Sequence, residues 1–114
     1  MSHALSQTVA ILDSLPNTNR NMHHEISVAL RRFIGENFLF QQDVESLAED
    51  ASFLQNGVID STGVLELVCF LESTFGIEVA DEEMLPENLD SIRAVTAYVS
   101  RKLERKRAQQ LAAA

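Results

Sequence analysis

Asp60, Ser61 and Thr62 stand between the apolar pair Val58 and Ile59 and the start of a helix-like apolar pattern, in the stretch VIDSTGVLELV. A serine in that position has three chemical uses. It can cap a helix, act as a nucleophile, or anchor a larger group. The nucleophile reading needs a strained Gly-x-Ser-x-Gly elbow and a partner base, and the sequence around Ser61 supplies neither. A phosphodiester is compatible with a helix start even without basic side chains. Free backbone N–H groups and the positive end of the helix dipole point at it. Asp-Ser by itself decides nothing, since Asp90 and Ser91 repeat it. There the expectation is a plain N-cap for the last helix.

The other reactive side chains read more simply. Cys69 is the single cysteine, so no internal disulfide and no multi-cysteine metal site can form. No base or cation lies near it in sequence to lower its pKa, so it reads as an ordinary helix residue. His23 and His24 are adjacent and point in different directions on a helix, which makes them poor joint ligands. DEEMLPENLDSI, residues 81–92, has Pro86 where a calcium loop needs glycine and Ile92 where it needs glutamate. No metal site is expected. Diffuse association with divalent cations is, so low ionic strength should destabilise the fold and millimolar magnesium should restore it.

The elements that must position Ser61 are helices. A first helix is expected over 22–37, with Ile26, Leu30, Phe33, Ile34 and Asn37 or Phe38 along one face. Residues 38–59 form a long connection whose length argues for internal order or function. Its expected anchors are Leu47, Phe53, Leu54, Val58 and Ile59, with Gly57 as a turn. The second helix runs from about Ser61 to Phe75 and buries Val64, Leu67, Val68, Leu71 and Phe75. Gly76 ends it. IEV at 77–79 is extended, and Pro86 opens a short turn at 86–89. The last helix starts near Ser91 and turns Ile92, Val95, Val99 and Leu103 inward. The fold class is all-α: a small four-helix bundle of three main helices and a short one, with a long loop between the first and second. Residues 1–21 form an extension, flexible or a short helix through Leu5, Val9 and Leu12. The folded domain spans 22–103, and 104–114 is a basic, fraying tail.

Ser61, Leu65 and Cys69 follow one another at i, i+4 and i+8 on the outer side of the second helix. Glu66 and Glu72 edge that track. Charge supports a docking role for it. The net charge is −8, and between Arg32 and Arg93 there are 14 acidic residues and no lysine or arginine. Such a surface repels nucleic acid and attracts basic protein surfaces. The tail RKLERKR, 101–107, reverses the sign. No basic leader precedes a long apolar run and no stretch approaches a membrane span. One cysteine fits a reducing cytoplasm.

In combination, GVIDSTGVLELVCFLESTFGIEVADEEMLPENLDSIRAVTAYV at 57–99 resembles the acyl carrier protein family, which includes peptidyl and aminoacyl carrier domains. Asp60 and Ser61 match the family's Asp-Ser-Leu. Glu66, Leu67, Val68, Leu71, Glu72, Phe75, Gly76, Ile77, Val79 and Asp81 match its helix continuation. Ser91 and Ile92 match its final helix start. With the first helix, the resemblance covers about 22–103.

The resemblance implies a carrier and not an enzyme. It implies 4'-phosphopantetheine, moved from coenzyme A onto Ser61 by a phosphopantetheinyl transferase, with Asp60 and Thr62 flanking the attachment point. The terminal thiol of that arm would carry an acyl-type, aminoacyl or polyketide intermediate as a thioester. It implies docking of loading, modifying and transferring enzymes with basic patches, through Leu65, Glu66, Cys69 and Glu72. A monomer in the cytoplasm is expected. Thr62 stands where the family usually has leucine, and Gly63 where fatty-acid carriers commonly have an acid. Both departures point to a specialised carrier. The alternative is an unmodified acidic helical adaptor that uses the same face only for binding.

Overall fold

The computed structural model describes residues 18–39 and 43–113, and every regular element among them is helical. Helix α1 is Thr18–Asn37, α2 is Ser61–Phe75, α3 is the short Pro86–Leu89 and α4 is Ile92–Ala113. Single 3-10 turns lie at Val44–Ser46 and Asp81–Glu83. The expectation for Leu5, Val9 and Leu12 lies outside the described residues.

α1 packs along α4, and α3 closes onto the start of α4. Most of the expected stripes form the core: Ile26, Leu30 and Ile34 from α1, Leu67, Val68 and Leu71 from α2, and Ile92, Val95 and Val99 from α4, joined by Tyr98, while Phe33, Val64, Phe75 and Leu103 are only partly buried and pack against it. Ile77 and Val79 of the extended segment are buried with them. α2 meets α1 through long side chains. Phe33 of α1 stacks on Phe70 of α2 with ring centroids 4.2 Å apart. Phe38 meets Phe33 edge-on at 5.7 Å, and Phe75 meets Phe70 edge-on at 6.0 Å. Four phenylalanines thus form a continuous seam between two antiparallel helices.

α4 runs to Ala113, through the stretch expected to fray. Its composition suits a helix of that length. Alanine, lysine, arginine, glutamine and leucine are all strong helix formers, and Lys106 also reaches back to donate to the Gly76 carbonyl at 2.6 Å. That contact satisfies a carbonyl left over at the end of α2, where Gly76 takes φ +67° to close the helix. In the connection, Leu54 is exposed instead of anchoring, while Phe53, Val58 and Ile59 are buried. Gly57 makes the expected turn at φ +68°.

One polar knot ties the lower half of the bundle. Glu83 Oε1 accepts from Lys102 Nζ at 2.9 Å, from the Tyr98 hydroxyl at 2.9 Å and from the Ala80 N–H at 3.1 Å. The Lys102 contact, then the Ala80 N–H and the Tyr98 hydroxyl, pull the Glu83 carboxyl down from 4.5 to about 2. Burial, then the Glu83 carboxylate beside it, pushes the Tyr98 phenol up.

Candidate functional site

Ser61 is positioned by a relay of backbone bonds that begins far away in sequence. Asp90, between α3 and α4, accepts from the Phe53 N–H through its main-chain oxygen at 2.8 Å. Its carboxylate accepts from the Leu54 N–H at 2.9 Å and from the Ser52 hydroxyl. The Phe53 carbonyl in turn accepts from the N–H groups of Val58, at 2.8 Å, and Ile59, at 3.3 Å. Phe53, 1% exposed, and Ile59, 1% exposed, anchor this segment in the core. Asp60 therefore enters α2 from a fixed backbone.

Asp60, and not Ser61, is the cap. Its φ and ψ are −92° and −179°, and its Oδ1 accepts from the Gly63 N–H at 2.7 Å. Its carbonyl accepts from the Val64 N–H at 3.1 Å. Ser61 is then the first helical residue, exposed, with no hydrogen bond to its hydroxyl among the described residues. Thr62 beside it is exposed as well.

The second Asp-Ser pair is spent on structure. Ser91 Oγ accepts from the Ala94 N–H at 3.0 Å as the cap of α4, and Asp90 holds the connection. The same dipeptide thus serves twice, and only Ser61 is left with a free hydroxyl at a helix start. That arrangement fits a phosphodiester: Ser61 is exposed at the positive end of the dipole, where the N–H groups of the first two helical residues lie, while the Gly63 N–H is taken by Asp60 Oδ1.

Down the outer face of α2, Leu65 is 58% exposed, and Glu66 and Cys69 are exposed. Glu72 is half-buried and has an internal task, because its Oε2 accepts from the Val79 N–H at 2.9 Å. Gly63 faces inward. A Cβ built there would lie 2.9 Å from both Phe38 Cε1 and Ile59 Cγ2, and 3.3 Å from Asp60 Oδ1. Position 63, expected as surface lacking a charge, instead faces the ring of Phe38, which follows α1, a contact with no signature at a separation of 25 residues.

No three histidine, cysteine or carboxylate side chains converge on a possible metal position among the described residues. His23 Nε2 pairs with Ser100 Oγ at 3.0 Å, away from Ser61. No helix among the described residues is long and apolar enough to cross a membrane.

Residues 26–99 match the family model described as a phosphopantetheine attachment site. The chain belongs to this family of carrier proteins. Its members carry 4'-phosphopantetheine and are not catalysts. The chain is also similar to the acyl carrier protein of Akkermansia muciniphila, 41% identical over 63 residues, which are 54% of this chain and 76% of that protein. The acyl carrier protein of Buchnera aphidicola is 34% identical over 59 residues, 52% of this chain and 72% of that protein. The D-alanyl carrier protein of Abiotrophia defectiva is 33% identical over 54 residues, 47% of this chain and 68% of that protein. The all-helical arrangement of three main helices and a short one is consistent with this carrier family.

Proposed function

We propose that Ser61 is the attachment residue and that the chain is a specialised acyl carrier. The observation that carries this reading is the contrast between the two Asp-Ser pairs. Ser91 caps α4. Ser61 lies inside the matched region with its hydroxyl exposed and Asp60 performing the cap in its place.

In the transfer, Ser61 Oγ forms a bond to the phosphorus of coenzyme A that bears the pantetheine. The pyrophosphate P–O bond breaks and adenosine 3',5'-bisphosphate leaves. The Ser61 proton goes to a base of the transferase, since the adjacent carboxylate, Asp60, faces the Gly63 N–H through Oδ1 and makes no hydrogen bond to Ser61 among the described residues. Once attached, the arm supplies a thiol that holds an acyl group as a thioester. The names of the relatives span acyl and D-alanyl cargo, and a thioester serves both.

Leu65, Glu66 and Cys69 offer an apolar track with acidic guidance to basic partner enzymes, and Glu72 extends the same charge. Thr62, smaller and more polar than the leucine common in the family, marks a surface read by a dedicated set of partners. We place the protein in the cytoplasm, as a monomer.

The test is intact mass. The chain is incubated with coenzyme A and a broad-specificity phosphopantetheinyl transferase. A gain of one phosphopantetheine is expected, retained in Ser91→Ala and lost in Ser61→Ala. An adaptor gains nothing.

A further inference from the structure

The residue two places after Ser61 has no side chain, and the space where one would begin is occupied. The occupant is Phe38, which follows α1 and whose N–H donates to the Ile34 carbonyl at 2.8 Å. Its half-buried ring meets Phe33 edge-on, and Phe33 is itself stacked on Phe70, so a displacement of the Phe38 ring is felt along the aromatic seam. On the opposite side of the same space stands Ile59, 1% exposed. The third neighbour is Asp60 Oδ1, the atom that caps α2. Pressure at position 63 therefore reaches the cap, and the cap fixes the turn that presents Ser61.

We propose that Phe38 and Gly63 form a lock that positions Ser61 for modification, with Phe38 as the positioning residue. This rests on Ser61 being the attachment site. The ring of Phe38 substitutes for the side chain that position 63 lacks, and together they set the first turn of α2 against α1. An aromatic ring at 38 and a side chain at 63 exclude each other. The departure from the usual family pattern at Gly63 is thereby explained by Phe38 just beyond α1, and not by a missing surface charge.

The experiment compares wild type, Gly63→Ala, Phe38→Leu and the double variant. Leucine keeps an apolar contact but lacks the Cε1 that meets the added Cβ. Two readouts are taken on full-length chains shown by circular dichroism to be folded: melting temperature, and kcat and KM for phosphopantetheine transfer.

Gly63→Ala alone is expected to lower kcat on the order of tenfold, since small displacements of a reacting atom are costly. KM should hold, because the outer face of α2 is untouched. In the Phe38→Leu background the same substitution should cost less in kcat and in melting temperature, the remaining cost being the contact with Ile59 Cγ2 at 2.9 Å, which is the same in both backgrounds.

Equal costs of Gly63→Ala in both backgrounds would overturn the lock. A kcat indistinguishable from wild type in Gly63→Ala, with wild type itself modified, overturns the positioning role and leaves the carrier reading standing. A wild-type chain that gains no mass ends both, and the melting temperatures then still report whether the two residues are coupled.

Discussion

Lys102 and Glu83 meet at 2.9 Å across the lower bundle, with Glu83 25% and Lys102 18% exposed at the side chain. This ion pair joins the turn after the extended segment to the middle of α4. It is shielded more than a surface pair, and the Tyr98 hydroxyl shares the same carboxylate oxygen.

A dependence of stability on acid follows. The Glu83 carboxyl sits at about 2 in the fold against an ordinary 4.5. The unfolded chain therefore binds a proton first as pH falls. The contribution of Glu83 is complete above 4.5 and is lost as pH drops toward 2. Glu83→Gln should melt well below wild type at pH 7, and the gap should close toward pH 2. A gap that stays constant across that range would show that the ionised form is not what stabilises.

Asp90→Ala removes the acceptor for Ser52 and Leu54, and with it the support of the connection that leads to Ser61. Hydrogen bonds to a charged group are worth roughly 1.5–3 kcal/mol each. With two such bonds lost, a cost of up to about 3–6 kcal/mol is expected in urea unfolding. Asp90→Asn, which keeps one acceptor oxygen, should lose less. Equal losses would mean that the carboxylate charge, and not the bond count, sets the cost.

Leu65→Ala should leave stability within about 0.5 kcal/mol of wild type, as exposed positions do. It should still weaken transfer by the transferase. Glu66→Lys should act differently: its effect on kcat/KM should be large at low salt and shrink as salt rises. Identical salt profiles for wild type and Glu66→Lys would remove Glu66 from the docking face.

The 14 acidic residues between Arg32 and Arg93 should make the fold sensitive to ionic strength. Because no three ligands converge among the described residues, the effect should be screening. Sodium chloride should raise the melting temperature as well as magnesium does at matched ionic strength. A saturable response specific to magnesium would point instead to a bound ion.

Much of this was legible in the sequence. The limits of α2, its buried stripe and its glycine stop follow from apolar spacing and backbone chemistry, and Gly57 announced its turn. The Phe33–Phe70 stack was not legible, because Phe70 lies at the edge of its helical stripe and its partner is 37 residues away. Nor was the task of Glu72, since an exposed-looking glutamate gives no sign of the Val79 N–H it will meet. Leu54 is hydrophobic yet 47% exposed, because it lies in the turn that Gly57 closes, which hydrophobicity alone does not show. At Ser61 the helix start was legible but not the division of labour, in which Asp60 takes the cap and frees the serine.

α4 has a further consequence for anyone purifying the protein. At 1.5 Å per residue its 22 residues span about 33 Å, and residues 104–111 are exposed throughout. The fold is elongated, with extents of 44 × 30 × 27 Å. An elongated shape raises the frictional coefficient, so the chain should elute from a sizing column earlier than a sphere of 114 residues. Early elution from such a column is therefore no proof of a dimer, and sedimentation equilibrium, which reads mass alone, separates shape from association.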